Sequence, residues 1–333
     1  MKKGVFTMMK KFFAGLLAVL MIASLAACGG SPASPASPAP SPSSDSPSST
    51  PAQPSSSEEP AAPAGDIVMP TYPDAASVDL AAVDAQIKEL APKVKTITEG
   101  KLTLGTSADY APYEFHILEN GVDKIVGFDI SLAQAIADEL GVELEIHDIP
   151  FDSILMELSA GSVDVGIAGF TPTPDRLEAI DMSHLYELQS QSLLVRKADV
   201  GKYTDISSFG AGTTVGAQTS SIQEELALSS TPDAAHTSLQ TIPALVMDLM
   251  GEKVDGVVME TAVAEGYVKA QPDDLAILCE IPYDSNGKGV AVKKGNEDLL
   301  NFVNAVVTKV VCNGDMEKFI NEANAISDQA IGG

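Results

Sequence analysis

The chain has 333 residues, of which 46 are acidic and 20 basic, with three cysteines and no tryptophan. A body this acidic repels phosphate backbones and anionic lipid, which argues against a nucleic-acid partner. Cys28, Cys279 and Cys312 lack the close spacing of a metal site and are too few for a disulfide framework, so Cys279 and Cys312 are expected as buried free thiols.

Met1 to Lys11 carries four lysines and no acid, and Phe12 to Ala27 is an almost unbroken apolar run ending in Leu25-Ala26-Ala27-Cys28. A membrane-spanning helix needs roughly 20 apolar residues, so this run is short for a span. It reads as a secretory signal over residues 1–27, with basic, apolar and small-residue regions in order. Without those four lysines, 16 basic residues face the 46 acidic ones, a net charge of −30. Gly29 to Gly65 is almost entirely Ser, Pro and Ala. Such a segment has no apolar surface to offset the entropy of ordering, so 28–65 is expected as a semi-extended tether.

The folded part begins with an extension over 66–99. Leu80, Val83, Ile87 and Leu90 share one helical face, and Pro92 ends the run. From Gly100 onward strands alternate with helices. Leu102 to Thr106 reads as a strand, and Asn120-Gly121 as a tight turn. A helix around Ile130 to Leu140 stops at Gly141, and a strand follows over Val142 to Ile146. A second helix, expected to be capped by Asp152, ends at Gly161 before a strand over Val163 to Ile167. This order predicts an α/β fold with a parallel sheet covered by helices. A second cycle runs from a strand at Thr214 to Ala217, through helices from Ser221 and over Ile242 to Gly251, to a strand at Val254 to Met259. Two closing helices are expected over Glu297 to Val311 and, shorter, around Met316 to Ala325. Two such units predict two lobes with a ligand cleft between them.

Two strand-to-helix turns carry candidate chemistry. In Ala168-Gly169-Phe170-Thr171-Pro172-Thr173-Pro174-Asp175-Arg176, Thr173 suits an N-cap, Pro174 the first helical position and Asp175 the positive end of the dipole. The residues leave two readings even: an anion site in which Arg176 supplies a planar fork of donors, or a capped surface helix whose arginine pairs with a neighbouring acid. In the second turn, Gln218-Thr219-Ser220-Ser221 enters a helix, and Ser221 with Glu224 has the spacing of a capping box. No Ser-His-acid or Cys-His arrangement stands out. His116, His147, His184 and His236 form no metal-ligand motif and read as surface residues. No catalytic residue, metal or cofactor is expected.

The chain from about Lys101 to Ala325 resembles the polar amino-acid family of extracellular solute-binding proteins that serve ABC importers. The resemblance rests on Gly105-Thr-Ser-Ala-Asp-Tyr-Ala-Pro-Tyr-Glu-Phe115, Val126-Gly-Phe-Asp129, the Thr-Pro-Asp-Arg run, Val215-Gly216, Val254-Asp-Gly-Val-Val-Met-Glu260 and Gly289-Val-Ala-Val-Lys-Lys-Gly295, in the family's order and spacing. It implies a type II periplasmic-binding-protein (Venus flytrap) fold, with lobe 1 over 100–187 and 285–333 and lobe 2 over 188–284. The crossings fall near Glu187 to Ser190 and Tyr283 to Ser285. Arg176, Thr171 and the amides of Ser221 and Ile222 would hold a ligand α-carboxylate. Glu260, where the family usually has Asp, would meet the α-ammonium with the Ala168 carbonyl, beside Gly169. Tyr110 and Phe151 would flank the ligand side chain, unless they are plain core aromatics. Ser107, Glu114, Asp152 and Gln218 lie near the side-chain pocket, and with two rings they point to a polar or basic amino acid. The plainer readings of Glu114 and Asp152 are a solvated acid and a helix cap.

The Leu-Ala-Ala-Cys tetrapeptide resembles a bacterial lipobox, which implies lipidation at Cys28 and a monomeric receptor anchored on the extracytoplasmic face of the cell membrane. Its partners would be a free amino acid and the permease of an ABC importer. Two alternatives remain: a periplasmic dehydratase-like enzyme on the same fold, and an amino-acid-binding adhesin or signalling receptor.

Overall fold

The computed structural model describes residues 67–283 and 287–331. The expected signal (1–27), Cys28, its tether to residue 65, and Ser285 at the second crossing lie outside the described residues.

Helix α1 (Leu80–Leu90) precedes the first lobe, its N-cap Asp79 accepting from the Ala81 and Ala82 amides. Next come β1 (Lys101–Thr106), β2 (Asp109–Tyr110), β3 (Glu114–Glu119), β4 (Val122–Val126), α2 (Phe128–Leu140), β5 (Glu143–Asp148), α3 (Phe151–Ala160), β6 (Val165–Gly166), α4 (Pro174–Ala179) and β7 (Ile180–Glu187). The second lobe holds β8 (Gln191–Arg196), β9 (Thr214–Gln218), α5 (Ile222–Ser230), β10 (Ala235–Leu239), α6 (Ile242–Met250), β11 (Gly256–Glu260), α7 (Thr261–Ala270) and β12 (Leu275–Ile281). The chain returns to the first lobe through β13 (Lys288–Lys293), α8 (Glu297–Cys312) and α9 (Asp315–Ile331).

Each lobe is built on a five-stranded sheet, in the orders β5-β1-β6-β13-β7 and β10-β9-β11-β8-β12. The molecule is thus two-lobed and α/β, but neither sheet is wholly parallel. β1 pairs in parallel with β5 and β6, whereas β13 runs antiparallel to β6 and β7. In the second lobe β9 is parallel to β10 and β11, whereas β8 is antiparallel to β11 and β12. The antiparallel members flank the crossings: each time the chain changes lobe it enters the new sheet against the direction of the strands already there. A separate sheet, β2-β3-β4, carries the Asn120-Gly121 hairpin, whose two turn residues both have positive φ (54° and 79°).

Local chemistry sets most boundaries. Gly141 and Gly161 end α2 and α3 in the left-handed conformation. Thr173 caps α4 by accepting from the Arg176 amide. Gly127 sits at φ 131°, where a Cβ would lie 2.0 Å from the Tyr113 carbonyl, so only glycine fits the entry to α2. Several expectations are corrected. Asp152 is not an N-cap: Pro150 holds that position, and Asp152 lies in the first turn, accepting from Gln240 Nε2 of the other lobe at 2.8 Å. The capping box at Ser221 is only half formed, because Glu224 turns back to the Ser220 amide. The last helix is longer than α8 rather than shorter, since nothing in Asp315–Ile331 breaks it. Cys279 and Cys312 are free but only half-buried. His147, His184 and His236 are half-buried rather than surface residues; His184 Nδ1 meets Thr308 Oγ1 at 3.0 Å and His236 Nε2 meets Thr231 Oγ1 at 3.0 Å.

The first lobe buries Leu102, Leu104, Leu132, Ile136, Phe302 and Val306 between sheet and helices. Helix α1 joins this core through Ile87 and is tied by Asp84 to Lys309 of α8. The face of the first sheet towards α3 packs Ile154, Leu158, Phe170 and Ile180, and that of the second lobe packs Leu193, Val215, Val258 and Phe209.

Candidate functional site

The two lobes are closed on one another. Polar contacts span the cleft, among them the Ile242 amide donating to Asp109 Oδ2 (2.9 Å), Gln240 to Asp152, and Arg176 Nη2 to the Ser220 carbonyl (3.1 Å). The Glu260 amide donates to the Tyr110 hydroxyl at 3.3 Å. Between them lies a small cavity of about 10 Å³, lined by Ser107, Asp109, Tyr110, Glu114, Phe151, Ala168, Gly169, Gln218 and Gln223.

Strand ends and the loops after them bring these groups together. β1 runs out into Ser107, β2 carries Asp109 and Tyr110, and Glu114 opens β3. Phe151 begins α3 and stacks on Phe170, with ring centres 4.9 Å apart. Ala168 and Gly169 follow β6, and Gln218 ends β9 of the opposite lobe. Seven residues singled out from sequence therefore share one wall: Ser107, Tyr110, Glu114, Phe151, Ala168, Gly169 and Gln218. Asp109 and Gln223 add to it.

The wall is acidic. Burial pushes the Asp109 carboxyl up to about 6, against the pull of the Ile242 amide. Glu114 is raised well above the usual carboxylate range, by burial first and then by Asp129 behind it, whose own carboxyl burial pushes up to about 6. Glu114 Oε2 and Asp129 Oδ1 are both buried without another partner, and one proton shared between the two carboxyls satisfies both. Asp129 is held from its other oxygen by the Gly169 amide (2.8 Å) and the Tyr186 hydroxyl (3.0 Å). Among the described residues no lysine or arginine lies within ion-pair distance of Asp109 or Glu114.

The remaining expected residues lie beside the cavity rather than in its wall. Arg176 is half-buried, its guanidinium over the rings of Phe151 (5.9 Å) and Phe170 (5.5 Å). It donates to the Thr171 carbonyl at 2.9 Å and to Ser220 in the opposite lobe, and no carboxylate among the described residues pairs with it. The Ser221 amide donates to the Gln218 carbonyl (3.2 Å), so it is not open to a guest as expected, because Ser221 closes a turn onto β9 before α5 begins. Ile222 is buried at the first position of α5.

Glu260 is fully buried at the end of β11 and is fully engaged. Lys288 forms an ion pair with Oε1, Gln191 Nε2 donates to the same oxygen at 3.1 Å, and the Tyr113 hydroxyl donates to Oε2. Lys288 is 1% exposed and also donates to Thr171 Oγ1 at 2.8 Å. Tyr113 reaches Glu187 Oε2 as well, at 3.0 Å; burial pushes the Glu187 carboxyl up to about 7, so below that pH it carries its own proton and need not compete for the tyrosine's. Sequence reasoning missed Lys288, Tyr113, Gln191, Glu187, Asp129, Asp109 and Gln223. The available signal for Lys288 was its place in front of the apolar strand Gly289-Val-Ala-Val, but a lysine after a turn reads as solvated.

The geometry is that of a cleft receptor, and the comparisons with known proteins agree. Residues 102–323 match the family model for bacterial extracellular solute-binding proteins, family 3. The chain belongs to that family. It is 35% identical over 224 residues to the arginine-binding extracellular protein ArtP of Bacillus subtilis (strain 168), covering 66% of this chain and 84% of the relative. The L-cystine-binding protein TcyJ of Escherichia coli (strain K12) is 28% identical, over 67% of this chain and 82% of its own. Among solved structures, the amino acid ABC transporter substrate-binding protein AbpA from Streptococcus pneumoniae Canada MDR_19A, bound to L-arginine, superposes with a TM-score of 0.66 at 35% identity, covering 69% of this chain and 96% of that one. An ancestral amino acid-binding protein, a precursor of cyclohexadienyl dehydratase, superposes at 0.62 with 28% identity, covering 71% of this chain and 98% of that one. These relatives are named as binding proteins rather than enzymes.

Proposed function

We propose that this family-3 receptor is the extracytoplasmic substrate-binding component of an amino-acid ABC importer, and that its guest is a free amino acid with a cationic side chain. One observation carries the ligand class. Asp109 and Glu114, both with carboxyls raised by burial, line the interlobe cavity beside Tyr110 and Phe151 with no basic side chain among the described residues to pair them. A guanidinium or ammonium entering there favours the ionised form of carboxyls that burial alone keeps protonated, and the ring faces add favourable contact with its cation. At the neighbouring end Arg176, which has only backbone carbonyls as acceptors, supplies a planar fork for the guest's carboxylate. The names of the arginine-binding relatives point the same way.

Closure draws these charges out of water, where paired interactions strengthen and unpaired ones become costly, so only a guest with both charges favours the shut form. A permease then has a closed shape to recognise. The chain acts as a binding protein and not an enzyme, works as a monomer, and is held on the outer face of the membrane by lipid on Cys28. Palmitate labelling of the native chain that is lost in Cys28→Ser tests the anchor, and absence of turnover on prephenate-like acids tests the enzyme alternative. The ligand class is tested by a thermal-shift screen of the full chain against all amino acids. A guest at about 100 times its dissociation constant adds roughly 2.7 kcal/mol. A shift with L-arginine, L-lysine or L-ornithine is expected; a shift confined to acidic or aliphatic amino acids overturns the cationic class.

A further inference from the structure

Among the described residues, Lys288 is the one lysine whose ammonium is shut inside the closed cleft region, 1% exposed, between Glu260 of the second lobe and Thr171 of the first. A buried ammonium without a partner is very costly, so the pair with Glu260 is obligatory for both residues while the cleft is shut. The Glu260 carboxylate accepts from Lys288, Gln191 and Tyr113, and it is itself fully buried. It is therefore neutralised from within the chain. A second cation brought to it faces Lys288 rather than an open anion, while Asp109 and Arg176 have no ion-pair partner among the described residues.

We propose that Lys288 is a specificity-determining residue: it stands as a built-in ammonium on Glu260, so the guest is selected by its carboxylate and its side-chain cation and its α-amino group is not required. The ligand class widens accordingly to ω-cationic carboxylic acids, with or without an α-nitrogen. This rests on the reading of the interlobe cavity as a site for a cationic guest.

The test is calorimetric titration of the purified full chain with matched pairs that differ only at the α-carbon: L-arginine with 5-guanidinopentanoate, and L-ornithine with 5-aminopentanoate. Agmatine, which lacks the carboxylate of L-arginine, serves as the control. Within each pair the dissociation constants should agree to about threefold, while agmatine should bind at least a hundredfold more weakly. Lys288→Met strips Glu260 of its internal partner and should create a preference of a hundredfold or more for the α-amino member. Should that variant fail to fold, the double variant Lys288→Met, Glu260→Gln keeps the pair position neutral and should again show no preference. A hundredfold preference of the native chain for L-arginine over 5-guanidinopentanoate overturns the proposal. The same titration with L-glutamine against 4-carbamoylbutanoate, and L-histidine against 3-(imidazol-4-yl)propanoate, separates the two readings. If only these bind, the cationic class falls and their pairwise ratio decides the role of Lys288. If no pair binds, both fall.

Discussion

The two charged ends of the cleft are built from similar materials and finished differently. At one end Arg176 lies over Phe151 and Phe170 and donates only to backbone carbonyls, one from each lobe. At the other, Glu260 is more deeply enclosed and receives Lys288, Gln191 and Tyr113, which leaves it no unmet demand. The contrast teaches that burial alone does not mark a binding group. A buried charge whose partners all come from the chain works as a fastener, and one with only neutral acceptors is an invitation to a guest.

The contrast breaks most readily at Glu260. Glu260→Gln leaves Lys288 buried without an anion and should lower stability by about 3–5 kcal/mol in denaturant melts, with much of the loss recovered by adding Lys288→Met. Melts in which the single variant matches the native chain would show the pair to be dispensable. Arg176→Ala should instead act on binding, costing roughly 2–5 kcal/mol for L-arginine by calorimetry. Unchanged affinity there would remove Arg176 from the site.

Asp109 sharpens the picture through pH. Its carboxyl is raised from an ordinary value near 3.8 to about 6 in the folded chain. The folded state therefore holds the proton more tightly, so the stabilisation this group gives is complete below about pH 4 and is lost as pH rises through about 6. Unliganded Asp109→Asn should lack that part of the decline when melts are compared from pH 4 to 7. Affinity for L-arginine should run the other way in the native chain, rising through the same interval as the carboxylate ionises. The smallest effect expected is at Thr173: replacing the cap of α4 with Ala should cost about 1 kcal/mol of stability.

Much of the scaffold was legible because short-range chemistry writes it. Gly141, Gly161, Asn120-Gly121 and Thr173-Pro174 each announce a boundary that depends on a few neighbouring residues. The amphipathic spacing of Leu80, Val83, Ile87 and Leu90 likewise gave α1. The antiparallel strands were harder. β7 contains Asp181, Ser183 and His184 and shows no clean alternation, and β6 is only two residues long, so neither direction nor partner follows from pattern. Within the site, Tyr110, Glu114 and Phe151 stood out as residue types with a use, whereas the network around Glu260 joins Tyr113, Glu187, Gln191 and Lys288 from distant stretches. Only the closed arrangement of both lobes reveals that Glu260 is already occupied.

The segment before the first sheet has a mechanical consequence. Met69 packs on the α3 side of the first lobe, the Thr71 carbonyl accepts from Leu185 of β7, and α1 is clasped to α8 by Ile87 and the Asp84–Lys309 pair. Any pull arriving from the N-terminal direction is thus delivered to the lobe that carries Arg176 and Lys288. The half bearing Glu260 receives it only through the contacts that join the lobes, among them Lys269 with Asp328 of α9 and Lys288 with Glu260.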